Sequence, residues 1–323
     1  MSKQISPVTA AALSRVVAVI SSKGGVMKTS LVANLGGVLA ESGQKVLVID
    51  LDASGDLKLD FGLDGDPRDD DGASVVEAVW ADQPLRVAHD VRPNLDFIFG
   101  GPNTEVLLKP REDLSETDLP LGSVALEFAS KLADIAHEYD IILIDSPPSR
   151  GAFYETPLTS ARWVLFPTKE DVGSHKGIEA VGRAVKAVRE VNPSLAYLGA
   201  VLMGSKTAAT RVRSNAMESL STLGPDVPRF ETFIRDASAG TDARNRGQLV
   251  NELARDAVVA NRSRLMALRD RRTPKPGAHR ADPLPMSLPT ASPLANDYIN
   301  LAGEICDRIA ASELTLDAAG RIA

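Results

Sequence analysis

Apolar residues in this chain gather in short continuous runs: Val16-Val17-Ala18-Val19-Ile20, Val46-Leu47-Val48-Ile49 and Ile141-Ile142-Leu143-Ile144. Runs of this length without polar alternation suit strands covered on both faces, as in a parallel sheet. Between them lie amphipathic stretches of helical period, such as Leu31 to Ala40. The pattern predicts strands near 15–21, 45–51, 94–99, 140–145, 162–167 and 197–203, with a short one near 229–234. Helices fit at 28–42, 73–80, 122–138, 173–191, 209–222, 241–254 and 294–311. Strands alternating with helices imply an α/β fold, a doubly wound and mostly parallel sheet flanked by helices. In such a sheet, ligands bind beyond the carboxyl ends of the strands.

Composition agrees and removes several function classes. Of the 323 residues 44% are hydrophobic but only 4% aromatic, so Val, Ile, Leu and Ala must fill the core. Cys306 is the only cysteine, which excludes an intrachain disulfide framework and a paired-cysteine metal site. No run of 18 apolar residues exists, and Met1 to Ser14 does not read as a secretory signal, so no membrane association is expected. Asp64 to Gly72 reads as a solvated acidic loop. The net charge is −7, yet residues 200–280 hold 15 Lys/Arg against 8 Asp/Glu, a local net of +7. Such asymmetry suggests a polyanionic partner for the basic part.

Three segments carry candidate chemistry. Residues 22–30 read Ser-Lys-Gly-Gly-Val-Met-Lys-Thr-Ser, between the first apolar run and an amphipathic stretch. A Gly-rich turn from strand to helix aims backbone N–H groups at an anion, and the helix N-terminus adds partial positive charge. Lys28 can reach β/γ-phosphates and the Thr29 hydroxyl can hold Mg²⁺, so the segment points to a nucleoside triphosphate. The usual spacing asks for glycine at 22 and 27; here Ser22 and Met27 stand there, with an extra Lys23. Lys45 to Asp52 is an apolar run closed by Asp50 and Asp52. Asp50 reads equally as a cap for the next turn. Tyr139 to Gly151 is an apolar strand ending on Asp145, followed by Pro-Pro-Ser-Arg-Gly.

The spacing K-G-G-x-x-K-[ST] at 23–29 resembles the deviant Walker A motif of the ParA/MinD superfamily of P-loop ATPases. Lys45–Asp56 is similar to that family's D-x-D-P-Q-G-N segment, with Ala53, Ser54 and Asp56 departing from it. Tyr139–Gly151 resembles its Walker B segment. The final Tyr298, Leu301, Ala302 and Glu304 match its closing helix. The resemblance covers about 15–254 and 292–311, and implies one P-loop NTPase domain over 15–311. Residues 1–14 are then a flexible extension, about 255–292 a basic, Pro-rich insertion, and 312–323 a C-terminal tail.

The resemblance also implies roles. Gly24, Gly25, Val26, Met27, Lys28, Thr29 and Ser30 would bind nucleotide. Lys23 would cross a homodimer interface to the partner's nucleotide. Asp52 would orient the attacking water, and Thr29, Asp52 and Asp145 would support Mg²⁺. Members bind DNA without sequence preference as ATP-bound dimers, hydrolyse ATP slowly, and are stimulated by DNA and a ParB-like adaptor. They segregate or position plasmid or chromosome DNA on the nucleoid, in the cytoplasm. Candidate DNA contacts are Lys206, Arg211, Arg213, Arg235, Arg244 and Arg246, with Arg262, Arg264, Arg271 and Arg272 of the insertion. Two alternatives stay open: a MinD-like membrane-cycling ATPase, disfavoured by the non-basic C-terminus, and an ATP-binding scaffold without turnover. Nothing in the chain reads as the substrate motif of an ATP-dependent ligase.

Overall fold

The computed structural model describes residues 4–21, 24–108, 123–147, 154–169, 174–205, 227–259 and 291–320. The chain begins with α1 (Pro7–Ala12) and β1 (Val16–Val19), then α2 (Lys28–Glu41) and β2 (Val46–Asp50). Next come α3 (Leu57–Asp60), α4 (Ala73–Trp80), β3 (Ala88–Arg92) and β4 (Leu95–Ile98), then α5 (Glu105–Leu108) and α6 (Ser123–Ala136). β5 (Ile141–Asp145), α7 (Glu155–Thr159), β6 (Trp163–Thr168), α8 (Ser174–Val188) and β7 (Ala196–Ser205) follow. The last part holds β8 (Ile234–Arg235), α9 (Ser238–Asn245), α10 over 250–259 and α11 (Ala291–Gly320).

Eight strands form one sheet in the order β3-β4-β2-β5-β1-β6-β7-β8. All described pairings are parallel except β3 with β4 at the edge. The fold is therefore the doubly wound, mostly parallel sheet that the apolar runs predict. Alternation shows why those runs are continuous. Val17, Val19, Val46, Val48, Ile141 and Leu143 enter the core on one face, with α2 and α11. Val16, Ala18, Leu47, Ile49, Ile142 and Ile144 enter the core on the other, with α4, α6 and α8. A strand covered on both faces has no solvent side to carry polar residues.

Register places the chemistry. Val19 of β1 and Asp50 of β2 both lie opposite Asp145 of β5, so three strands end level. The loops leaving β1 and β2, and the residues after Asp145, converge at one rim of the sheet.

Several expectations change. The N-terminal extension is ordered from Gln4: Ser6 accepts from the Thr9 amide as N-cap of α1, and Ile5 and Leu13 are buried. An N-cap followed by proline is a helix start that a six-residue element hides from periodicity. The edge strand β3 is new; only its Ala88 and Val91 turn inward, so no apolar run marks it. The helix expected at 241–254 is two, α9 and α10, broken where Gly247 takes φ +61°. The short strand expected at 229–234 is β8, with an isolated bridge from Arg229 to Ala200. The closing helix does not stop at 311 but runs to Gly320. The expected helix at 209–222 and residues 260–290 of the basic insertion lie outside the described residues.

The acidic loop is tied down by ion pairs. Asp66 is bonded by Arg68 at 2.8 Å, and Asp69 by Lys58 at 2.5 Å. No cluster of metal-ligating side chains occurs among the described residues.

Candidate nucleotide site

A cavity of about 460 Å³ opens at the rim where β1 and β2 end, lined by Gly24 to Ser30, Asp52, Ser54, Asp56 and Arg244. Its floor is the turn from β1 into α2. Gly25 adopts φ +74°, and a side chain on Gly24 or Gly25 would project into open space. That space is the cradle an anion would fill. Met27 sits at the helix entrance with φ 61° and ψ 30°, the left-handed region that makes glycine usual there. Its side chain packs on the core, and its Cε lies beside Gly204 of β7. Met27 gives α2 no side-chain cap, so the first-turn amides of the helix remain open toward the cavity.

Lys28 reaches inward and ion-pairs with Asp145; both are buried, at 5% and 0% exposure. Burial pushes the Asp145 carboxyl up, against the opposing pull of Lys28 and then of the Thr29 side chain. The second oxygen of Asp145 is buried without a hydrogen-bond partner. A buried, half-satisfied carboxylate beside a threonine is an arrangement of hard oxygen donors that fits a divalent cation.

The two carboxylates at the end of β2 divide their work. Asp50 is buried and accepts from the amides of Asp52 (2.9 Å) and Leu57 (3.2 Å), so it shapes the loop. Burial, reinforced by Asp145, raises its pKa well above the usual carboxylate range. Asp52 stands at the cavity wall, half-buried, with the Ser54 amide on its Oδ1 at 3.0 Å. Of the two readings of Asp50, capping is therefore the structural one, and Asp52 is the carboxylate that faces the cavity.

Sequence reasoning missed Asp60. It is buried behind the wall, with one oxygen lacking a hydrogen-bond partner. Burial lifts its pKa to about 6, against the pull of Arg244 and Ser30. A lone Asp in Leu57-Lys58-Leu59-Asp60 carries no motif, so only the fold brings it to the site.

Three of the arginines read as candidate DNA contacts are described. Arg244 is not on an outer basic surface; it lines the nucleotide cavity, near Asp56 and Asp60. Arg235 forms a two-armed ion pair with Asp297 of α11, at 2.6 and 2.7 Å, and is engaged in holding β8 to that helix. Arg246 is exposed. Lys23, Lys206, Arg211, Arg213, Arg262, Arg264, Arg271 and Arg272 lie outside the described residues.

Comparison with known proteins agrees with this geometry. The family model described as an AAA domain matches residues 14–197. The cell division protein PomZ of Myxococcus xanthus is 28% identical over 231 residues, 71% of this chain and 69% of that protein. The chromosome partitioning protein ParA of Caulobacter vibrioides is 30% identical over 197 residues, 58% of this chain and 68% of that one. Among solved structures, cobyrinic acid a,c-diamide synthase from Mycobacterium smegmatis, with bound ADP and magnesium, superposes with TM-score 0.57. It is 25% identical, and the match covers 77% of this chain and 95% of that one. With the deviant phosphate-binding turn, the strand-end carboxylates and the sheet order in place, the chain belongs to the AAA-domain family, as a P-loop ATPase of the ParA/MinD type.

Proposed function

We propose that this chain is a ParA-type ATPase that binds ATP and Mg²⁺, dimerises in that state, grips DNA without sequence preference and positions DNA cargo. The observation that carries the reading is the convergence of the open α2 amides, Lys28 and Asp52 on one cavity at the strand ends, with Asp145 buried behind it and paired with Lys28. The match to a cell division protein and a chromosome partitioning protein supports the cellular side.

The residues divide the chemistry. The Gly24–Ser30 turn binds phosphates through its amides and the positive end of α2. Lys28 places a buried cation at the phosphates, and Thr29 and Asp145 would hold Mg²⁺, with support from Asp52. When bound there, Mg²⁺ would supply positive charge that offsets the charge of the phosphates. Asp52 orients the attacking water from the cavity wall. Lys23, carried across the dimer, would offset charge that develops in the transition state, which makes hydrolysis depend on dimerisation. On this reading the ATPase is slow, stimulated by DNA and a ParB-like adaptor, and nucleoid-associated in the cytoplasm.

The basic stretch at 200–280 supports the DNA side. With Arg235 held by Asp297 and Arg244 lining the cavity, the duplex contact falls to Arg246, to Lys206, Arg211 and Arg213, and to the insertion's arginines. Among the described residues no helix is long and apolar enough to cross a membrane.

The test is binding to arbitrary duplex DNA with ATP, with ADP and without nucleotide, for wild type and Lys23→Gln. Binding that needs ATP and fails in the variant is the expected result. DNA binding absent in every state would overturn the partition reading.

A further inference from the structure

Arg244 stands in the cavity wall at the last turn of α9, with a side chain 32% exposed. Its contacts are loose. Its one hydrogen bond among the described residues runs from Nη2 to the Asp56 carbonyl, at a long 3.4 Å. The carboxylates of Asp56 and Asp60 stand off at 3.7 and 3.6 Å, beyond hydrogen-bond distance. A guanidinium has five donors in a planar fork, so most of this one is not engaged. Arg235 makes the contrast: its fork closes on Asp297 at 2.6 and 2.7 Å.

Charge balance shows what the loose fork is for. Asp52 and Asp56 line the cavity, and Asp60 lies just behind. Lys28 is already paired with Asp145. A polyphosphate entering this cavity would meet two carboxylates on its wall and a third behind them, and among the described lining residues Arg244 is the cation that is not closely paired. Asp60 also feels both Ser30 and Arg244, which sets the guanidinium beside the first turn of α2, where the open amides point.

We propose that Arg244 is a nucleotide-binding residue of this site. Its guanidinium leaves the Asp56 loop for the phosphates of ATP or ADP, and so screens Asp56 and Asp60 from them. A planar fork matches two phosphate oxygens as it matches a carboxylate. The inference rests on the ATP-binding reading above. It adds that α9 closes on the nucleotide, and that occupancy is felt in the loop that begins at Asp52.

The experiment is titration of the full chain with ATP and ADP, each with Mg²⁺, by calorimetry. The proteins are wild type, Arg244→Ala, Arg244→Lys, Asp56→Asn, the Arg244→Ala/Asp56→Asn pair and Lys28→Ala. Arg244→Ala should weaken nucleotide binding tenfold or more, Arg244→Lys less, and adding Asp56→Asn should recover part of the loss. Wild-type affinity in folded Arg244→Ala overturns the proposal. If Arg244→Ala does not fold, Asp56→Asn decides: one carboxylate fewer beside the guanidinium and the phosphates should tighten binding, and unchanged or weaker binding overturns the idea. Lys28→Ala separates the two readings. Wild type that does not bind ATP, or binds it as well without Lys28, defeats the ATP-site reading itself.

Discussion

Residues of one type play opposite parts here according to where the fold sets them. Asp50 and Asp52 are two positions apart, yet one is buried against backbone amides and the other faces the cavity. Asp60 is the third case. Its carboxyl titrates near 6 when folded, against 3.8 for the ordinary group. Between those values the folded chain keeps a proton that the unfolded chain has released. This raised pKa therefore makes stability fall as pH rises from about 4 to about 6, and stay lower above that. The cost at neutral pH is on the order of 3 kcal/mol, with burial as its main cause. Asp60→Asn should therefore stabilise the protein at pH 7.5, by ~1–3 kcal/mol. It should also flatten the change between pH 4.5 and 6. Urea denaturation of both proteins at three pH values checks this; equal pH dependence in the two would show that Asp60 ionises normally.

At the scale of elements, the cavity wall depends on a backbone contact that no motif records. Gly62, two residues after α3, and Gly247, two after α9, face each other, both with positive φ. A Cβ on Gly247 would lie 2.4 Å from the Gly62 Cα, a clash that backbone cannot relieve by a rotamer change. Arg92, at the end of the edge strand β3, staples the same junction. It donates to the Phe61 carbonyl at 3.1 Å and the Gly247 carbonyl at 3.2 Å, and pairs with Glu252 of α10. This junction brings Arg244 over Asp60. Gly247→Ala should cost roughly 2–4 kcal/mol from left-handed strain plus overpacking. Nucleotide affinity should fall with it, as α9 moves off α3. Denaturant midpoints and the same calorimetric titration read both effects, and an unperturbed midpoint would mean the junction yields easily.

For the whole molecule, the proposed DNA binding raises the question of where a duplex would lie. The overall charge is −7, so DNA binding must use a local surface and not the average field. With Arg235 tied to Asp297 and Arg244 in the cavity, the proposed DNA binding would rest more heavily on the insertion's arginines than sequence alone suggests. Reversing Arg262, Arg264, Arg271 and Arg272 together should weaken DNA binding and flatten its salt dependence. For every phosphate that is no longer neutralised, the slope of log K against log salt becomes shallower by about 0.9. An unchanged affinity and slope would move the DNA surface away from the insertion.

What the sequence determined by itself was whatever depends on local spacing. Continuous apolar runs mean strands covered on both faces, and glycines, lysine and threonine at set offsets between strand and helix mean a phosphate turn. The sheet, the cavity floor and the strand-end carboxylates were legible for that reason. Even Ser6-Pro7, read as part of a loose extension, carried a local capping signal. Packing across the fold alone set which arginine ties two elements together and which lines the cavity. Arg235 and Arg244 look alike in the chain, nine residues apart and each set between an apolar residue and a polar one. One meets Asp297, the other Asp56 and Asp60, and each of those partners lies more than fifty residues away. A charged side chain's role is set by the charges and the burial around it, and those are brought together by packing across the fold, not by neighbours in sequence.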